Sequence, residues 1–134
     1  MTARLRHIAL SVRDVGRAQK FFEDAFGMKK AGDAGRGVYM TDGTLNIALL
    51  DRKGRADVPT DEPFYGILHF GLWVDDTEAT LEKVKQAGGA YLSGNVSDNP
   101  DTFYEVKCTD PDGTVFDLTH NGWGGAVKEV KPAE

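Results

Sequence analysis

Two short stretches of this chain alternate large apolar residues with small or polar ones, the period of a β-strand that turns one face to a core. In the segment HIALSVRD, Ile8, Leu10 and Val12 fall on one face and His7, Ala9 and Ser11 on the other. In HFGLWVDD, Phe70, Leu72 and Val74 oppose His69, Gly71 and Trp73. Behind each strand the period lengthens to that of a helix. Asp14 and Asp76 stand where an N-cap belongs, with a carboxylate to accept a first-turn amide. Val15, Ala18, Phe22, Ala25 and Phe26 then form one apolar stripe, and Leu81, Val84 and Gly88 a second. Glu78, Glu82, Lys83 and Lys85 make the solvated side of that second helix. The helices stop at Gly27 and at Gly88–Gly89.

After each helix the alternation returns as a hairpin. Residues 37–51 turn at Asp42–Gly43, and residues 103–120 turn at Asp110–Pro111–Asp112–Gly113. Residues 52–66 carry Pro59, Pro63 and many charges, which reads as a linker. Residues 124–134 read as a loose polar tail. The pattern predicts an α+β protein of two tandem βαβββ modules, about 5–51 and about 67–123, in a single domain spanning 1–134. Neither half has enough apolar surface to bury its sheet alone, so the two share a core.

The repeat also aligns chemistry. Histidine, leucine, valine and aspartate recur at matching offsets: His7, Leu10, Val12 and Asp14, then His69, Leu72, Val74 and Asp76. Two equivalent histidines can converge across the pseudo-twofold of such a pair. Their neighbours on the same face, Ala9 and Gly71, are small, which predicts space beside them. Composition removes other classes. With 134 residues, 40% hydrophobic, and a net charge of −5, the chain is an ordinary globular domain without the basic surface that nucleic acid requires. No apolar run approaches a membrane span, and MTARLRHIAL does not read as a signal peptide. Cys108 is the only cysteine, so no intrachain disulfide forms. The expectation is a cytoplasmic protein with no nucleic-acid or membrane partner.

A paired βαβββ repeat with histidine opening each first strand resembles the vicinal oxygen chelate superfamily, which holds glyoxalase I, extradiol dioxygenases, methylmalonyl-CoA epimerase, and the fosfomycin and bleomycin resistance proteins. The most specific segment is DPDGTVFDLTH, similar to the family pattern of DPDG, three residues, an acidic metal ligand and leucine. The resemblance implies a curved mixed sheet around a metal pocket, with His7, His69 and Asp117 as ligands. Asp117 is aspartate where the family usually has glutamate. The four-ligand members add a carboxylate or amide from the last strand of module one, where this chain offers Asn46 and Ala48. A fourth ligand is therefore not expected.

Two histidines and one carboxylate hold a divalent ion and leave positions open, the set used by non-haem Fe(II) oxygenases and accepted by Mn, Zn, Ni and Co. The favoured reading is a metal-dependent enzyme with one divalent ion, Fe(II) first, acting on a small oxygenated substrate with dioxygenase-like chemistry. The alternatives are a glyoxalase- or epimerase-like reaction with the metal as Lewis acid, a fosfomycin-type thiol transferase, and a non-catalytic binding protein of the bleomycin-resistance type. Asn46, Trp73, Tyr104 and Trp123 are the substrate-contact candidates, with Trp123 in a glycine-rich segment suited to a lid. His120 follows Asp117 by three positions, so alternation turns it away from the metal. The family resemblance also implies a homodimer, in which modules are sometimes exchanged between chains.

Overall fold

A computed structural model describes residues 3–51 and 63–130. Its elements run β1 (Arg4–Val12), α1 (Val15–Phe26), β2 (Lys29–Asp33), β3 (Gly37–Thr41), β4 (Asn46–Asp51), β5 (Gly66–Trp73), α2 (Thr77–Gln86), β6 (Ala90–Ser93), β7 (Val106–Thr109) and β8 (Val115–Thr119). The βαβββ unit thus occurs twice, as the alternation predicts. Strand β5 takes in Gly66, one residue of the expected linker, and residues 52–62 of that linker lie outside the described residues.

All eight strands join one sheet in the order β2-β3-β4-β1-β5-β8-β7-β6. Each module's first strand pairs in parallel with its own last strand, β1 with β4 and β5 with β8. The modules meet through an antiparallel pairing of β1 with β5 that sets His7 opposite Gly71 and Ala9 opposite His69. The two histidines therefore become neighbours within one chain. Register decides this, because a slip of one residue between the strands would put the two histidines on opposite faces of the sheet.

The helices cover the other face. Asp14 Oδ1 accepts from the Arg17 amide at 3.0 Å and Asp76 Oδ1 from the Ala79 amide at 3.0 Å, so both expected N-caps form. Helix α1 ends at Gly27, whose φ of 69° lies in the left-handed region that favours glycine. Val15, Ala18 and Phe22 pack with Val38, Met40 and Leu49, while Leu81 and Val84 of α2 pack with Val106, Cys108 and Leu118. Ala25 and Phe26 depart from the expected stripe: both are exposed, and Phe26 meets the rings of Phe21 and Phe22 rather than the sheet.

The histidine face is the more deeply buried one. His7, Ala9 and Ser11 are buried while Ile8, Leu10 and Val12 are only partly so. The cause is the segment after β8, which returns across the sheet instead of leaving it. Val127 N–H donates to Thr44 O at 3.0 Å, Thr41 Oγ1 to Gly125 O at 2.9 Å, and Arg6 Nε to Val127 O at 2.6 Å. The expected loose tail is tied down at least this far, and Arg4 also pairs with Glu129.

Candidate metal centre

Four side chains converge on the concave face: His7 from β1, His69 from β5, Asp117 from β8, and Glu105 from the turn leading into β7, with one potential ligand atom of each within 4.8 Å of the others. The three residues that the sequence pattern selected come together. Glu105 was not among them. It adds the fourth protein carboxylate or imidazole that module one does not provide.

The inner three atoms are spaced as ligands of one ion. His69 Nε2 lies 2.9 Å from Asp117 Oδ2, His7 Nε2 lies 3.4 Å from His69 Nε2, and His7 Nε2 lies 3.7 Å from Asp117 Oδ2. Ligand atoms at about 2.0–2.2 Å from a shared cation, at angles of about 90–120°, stand about 2.8–3.8 Å from one another. Despite its nearness to His69, Asp117 Oδ2 is fully buried and has no hydrogen-bond partner. Buried polar atoms are paired almost without exception, so an orphaned carboxylate oxygen calls for a ligand. The donor set fits a divalent cation.

Surrounding groups fix the donors. The Asn46 side chain gives its Nδ2–H to Gly124 O at 2.7 Å, which leaves its Oδ1 to accept from His7 Nδ1–H at 2.6 Å. His7 must then carry its proton on Nδ1 and present a bare Nε2 inward, the arrangement found behind metal-bound imidazoles. Burial pushes the His7 imidazole down to about 4, so it is neutral at physiological pH. Lys107 Nζ donates to Asp117 Oδ1 at 2.8 Å and leaves Oδ2 uncommitted.

The two carboxyls share their site unequally. Burial, and then the neighbouring Asp117 carboxylate, push Glu105 up to about 8. Burial opposes the charge of Asp117 too, but the neighbouring Glu105 and His69 outweigh it and hold its carboxyl well below the usual range. Without a cation, Asp117 carries the negative charge and Glu105 the proton. A bound cation favours ionisation of both.

Trp123 closes the site. Its ring stacks on His7 with centroids 4.7 Å apart and planes 6° from parallel, and its Nε1–H donates to Glu105 Oε2 at 3.2 Å. The expected space beside Ala9 and Gly71 is filled. A Cβ on Gly71 would stand 2.7 Å from the Trp123 ring, and a cavity of about 40 Å³ remains between His7, His69, Glu105, Tyr39 and Ala48. The other contact candidates are committed elsewhere. Both ends of the Asn46 amide are taken, and Trp73 Nε1 donates to His120 O at 3.1 Å while its ring lies under Gly122. Tyr104 is on the opposite face, in the core beneath α2, with its hydroxyl 2.6 Å from Thr77 Oγ1 and 2.5 Å from His120 Nδ1. Those bonds also hold His120 away from the metal centre. The signal for Glu105 lay one residue further on. Tyr104, Val106 and Cys108 are the apolar phase of this strand, and Glu105 and Lys107 the polar phase that faces the site.

A double βαβββ sheet with buried histidines and carboxylates at its centre defines a vicinal-oxygen-chelate protein with a potential metal site. Residues 4–118 match the Glyoxalase/Bleomycin resistance protein/Dioxygenase superfamily, and the chain belongs to that family. Among curated proteins it is 29% identical over 118 residues to glutathione transferase FosA of Serratia marcescens, covering 88% of this chain and 81% of that protein. It is 27% identical over 124 residues to metallothiol transferase FosB of Staphylococcus saprophyticus, covering 91% and 79%. The Mn(II)-bound glyoxalase of Novosphingobium aromaticivorans shares the fold with a TM-score of 0.66 at 20% identity, over 97% of this chain and 44% of that one. No helix among the described residues is long and apolar enough to cross a membrane.

Proposed function

We propose that the protein is a metal-dependent enzyme that holds one divalent ion through His7, His69 and Asp117, with Glu105 as a fourth ligand, and acts on a small oxygenated substrate. The observation that carries this reading is the orphaned Asp117 Oδ2, buried and facing two imidazole nitrogens. When bound, such an ion acts as a Lewis acid, polarising a substrate oxygen and stabilising the negative charge that develops on it. The protein's own groups set the stage. Asn46 keeps His7 Nε2 bare, the Lys107 cation sits against Asp117, and Trp123 covers one face of the His7 ring.

Glu105 moves the balance among reactions. The case for Fe(II) and oxygen chemistry rests on a three-ligand set with open positions, and a fourth ligand at the centre favours Lewis-acid chemistry instead. Within that group thiol transfer fits best, because Lys107 supplies a positive charge for an anionic substrate and the curated relatives FosA and FosB are thiol transferases by name. A cytoplasmic homodimer is proposed alongside it, on the family resemblance. Its site needs no exchanged module, since all four groups come from one chain.

Elemental analysis of protein purified without chelator tests the site. About one divalent ion per chain is expected, with His69→Ala emptying it and His120→Ala leaving it filled. Equal metal content in the two variants overturns the assignment. Apoprotein reconstituted separately with Mn(II), Zn(II), Ni(II) and Fe(II) is then assayed for thiol consumption, hemithioacetal turnover and oxygen uptake. Oxygen uptake with Fe(II) and a catechol would restore the dioxygenase reading.

A further inference from the structure

We infer that Asn46 is a positioning residue that couples closure of the strap 121–127 to the aim of His7, so that metal binding and strap closure reinforce each other. The inference rests on the metal reading above and adds a moving part to it. Asn46 is completely buried, and its one amide spans both structures: Nδ2–H to Gly124 O at 2.7 Å on the strap, and Oδ1 to His7 Nδ1–H at 2.6 Å at the centre. Trp123, the next residue of the strap, stacks on the same imidazole and donates to Glu105. Two of the four candidate ligands are therefore held by one segment.

The strap packs onto the modules as a unit. Gly122 and Gly125, with φ of 77° and 80°, bracket Trp123 in backbone conformations open to glycine, and both lie so close to module surfaces that a side chain would clash. A cavity of about 40 Å³ lies at the centre, lined by His7, His69, Glu105, Tyr39 and Ala48. Trp123 covers His7 on the strap side, and opening that side requires the ring to lift. Lifting it pulls Gly124 from Asn46 and frees the amide to turn, which releases the proton position and orientation of His7. By reciprocity, a cation that needs His7 Nε2 bare favours the closed strap as much as the closed strap favours the cation.

The test is hydrogen exchange at the amides of 121–127 in the full chain, with and without Mn(II), alongside Mn(II) affinity by calorimetry. Mn(II) should slow exchange across the strap of the wild type by at least fivefold. Asn46→Asp keeps an acceptor for His7 but has no donor for Gly124. It should bind Mn(II) within about threefold of wild type while losing that protection. Asn46→Ala loses both bonds and should bind about tenfold or more weakly, as outer-shell changes at metal sites do. Trp123→Ala loosens the strap without touching Asn46 and should also weaken Mn(II) binding several-fold, which keeps the test open if an Asn46 variant fails to fold. Wild-type protein that binds Mn(II) with no change in strap exchange overturns the coupling, as does a Trp123→Ala variant of unchanged affinity. Absence of any Mn(II) or Zn(II) binding by the wild type overturns the metal reading itself, and the coupling with it.

Discussion

The two modules share a backbone plan but carry very different chemistry, and the sheet register lets them be compared position by position. Ala9 and Gly71 each stand two residues beyond a histidine. Ala9 faces Ala48 on β4, and Gly71 faces Asp117 on β8. One strand further out, Tyr39 pairs with Ala48 and Lys107 with Asp117. Two residues before these stand Gly37 and Glu105. Where module two offers Asp117, Lys107 and Glu105, module one offers Ala48, Tyr39 and Gly37. At Gly37 even a Cβ would collide with the Leu49 carbonyl. Module one gives the centre a single histidine and the amide that aims it, and its other residues form a wall. Symmetry of fold brings the histidines together, and the asymmetry of the outer strands charges the site.

The sharpest way to break this comparison is Asp117→Asn. The charge at the site resides chiefly on this one carboxylate, and removing a direct ligand should cost more than the about 10–100-fold that supporting groups cost. Affinity for Zn(II) or Mn(II) is expected to fall by over a hundredfold, measured by calorimetry. A smaller loss would shift the main anionic role to Glu105.

The pH dependence separates those two carboxyls. Glu105 is raised from 4.5 to about 8 in the metal-free fold, so a cation that uses it must expel a proton. His7, lowered to about 4, contributes no slope above pH 6.5. Metal affinity should therefore climb between pH 6.5 and 8, by up to about tenfold per unit, and level off beyond. Stability of the metal-free chain should run the other way. In that window the folded state keeps a proton that the unfolded state has lost, so stability falls as pH rises. Glu105→Gln should flatten both profiles, read by calorimetry and by thermal melts in chelator. A slope that survives the substitution assigns the proton elsewhere.

How much of this was legible in the sequence depended on whether local pattern or long-range register carried the information. The helices, their aspartate caps and the Asp42–Gly43 and Asp110–Gly113 turns follow from local periodicity, and all form. His7, His69 and Asp117 were legible because a repeat and a motif mark them. Glu105 was not, because it sits just before a short strand whose facing is settled only by pairing with β8, and a choice of Tyr104 over Glu105 reverses the face. The closing of the centre was also hidden. Nothing local in NGWGGA shows that Trp123 meets His7, residues more than a hundred positions apart.

Gly71→Ala sharpens the comparison at the seam. Its module-one counterpart, Ala9, already has a Cβ, whereas one on Gly71 would stand 2.7 Å from Trp123 and 2.9 Å from His7 Cβ. Overpacking of this kind costs about 1–3 kcal/mol, and the ring is the part able to shift. The expected result is a lower melting temperature with altered tryptophan emission, while Ala9→Gly leaves the emission unchanged.

Tyr104→Phe probes the back of module two and should have the smallest effect. The hydroxyl bridges Thr77 Oγ1 at 2.6 Å, His120 Nδ1 at 2.5 Å and the His120 amide at 3.0 Å, all on the helix side of the sheet. Removing it leaves buried polar groups short of a partner, a cost of about 1–2 kcal/mol. That cost is partly relieved, because Thr77 Oγ1 lies only 3.3 Å from His120 Nδ1 and the two can pair directly. A melting temperature lower by about 3–6 °C is expected. Metal affinity should stay within about twofold of wild type, because Glu105 and Tyr104 point to opposite faces. A larger loss of metal would mean that the Thr77–Tyr104–His120 cluster sets the position of Glu105 through the backbone, and that the two faces of module two are not independent.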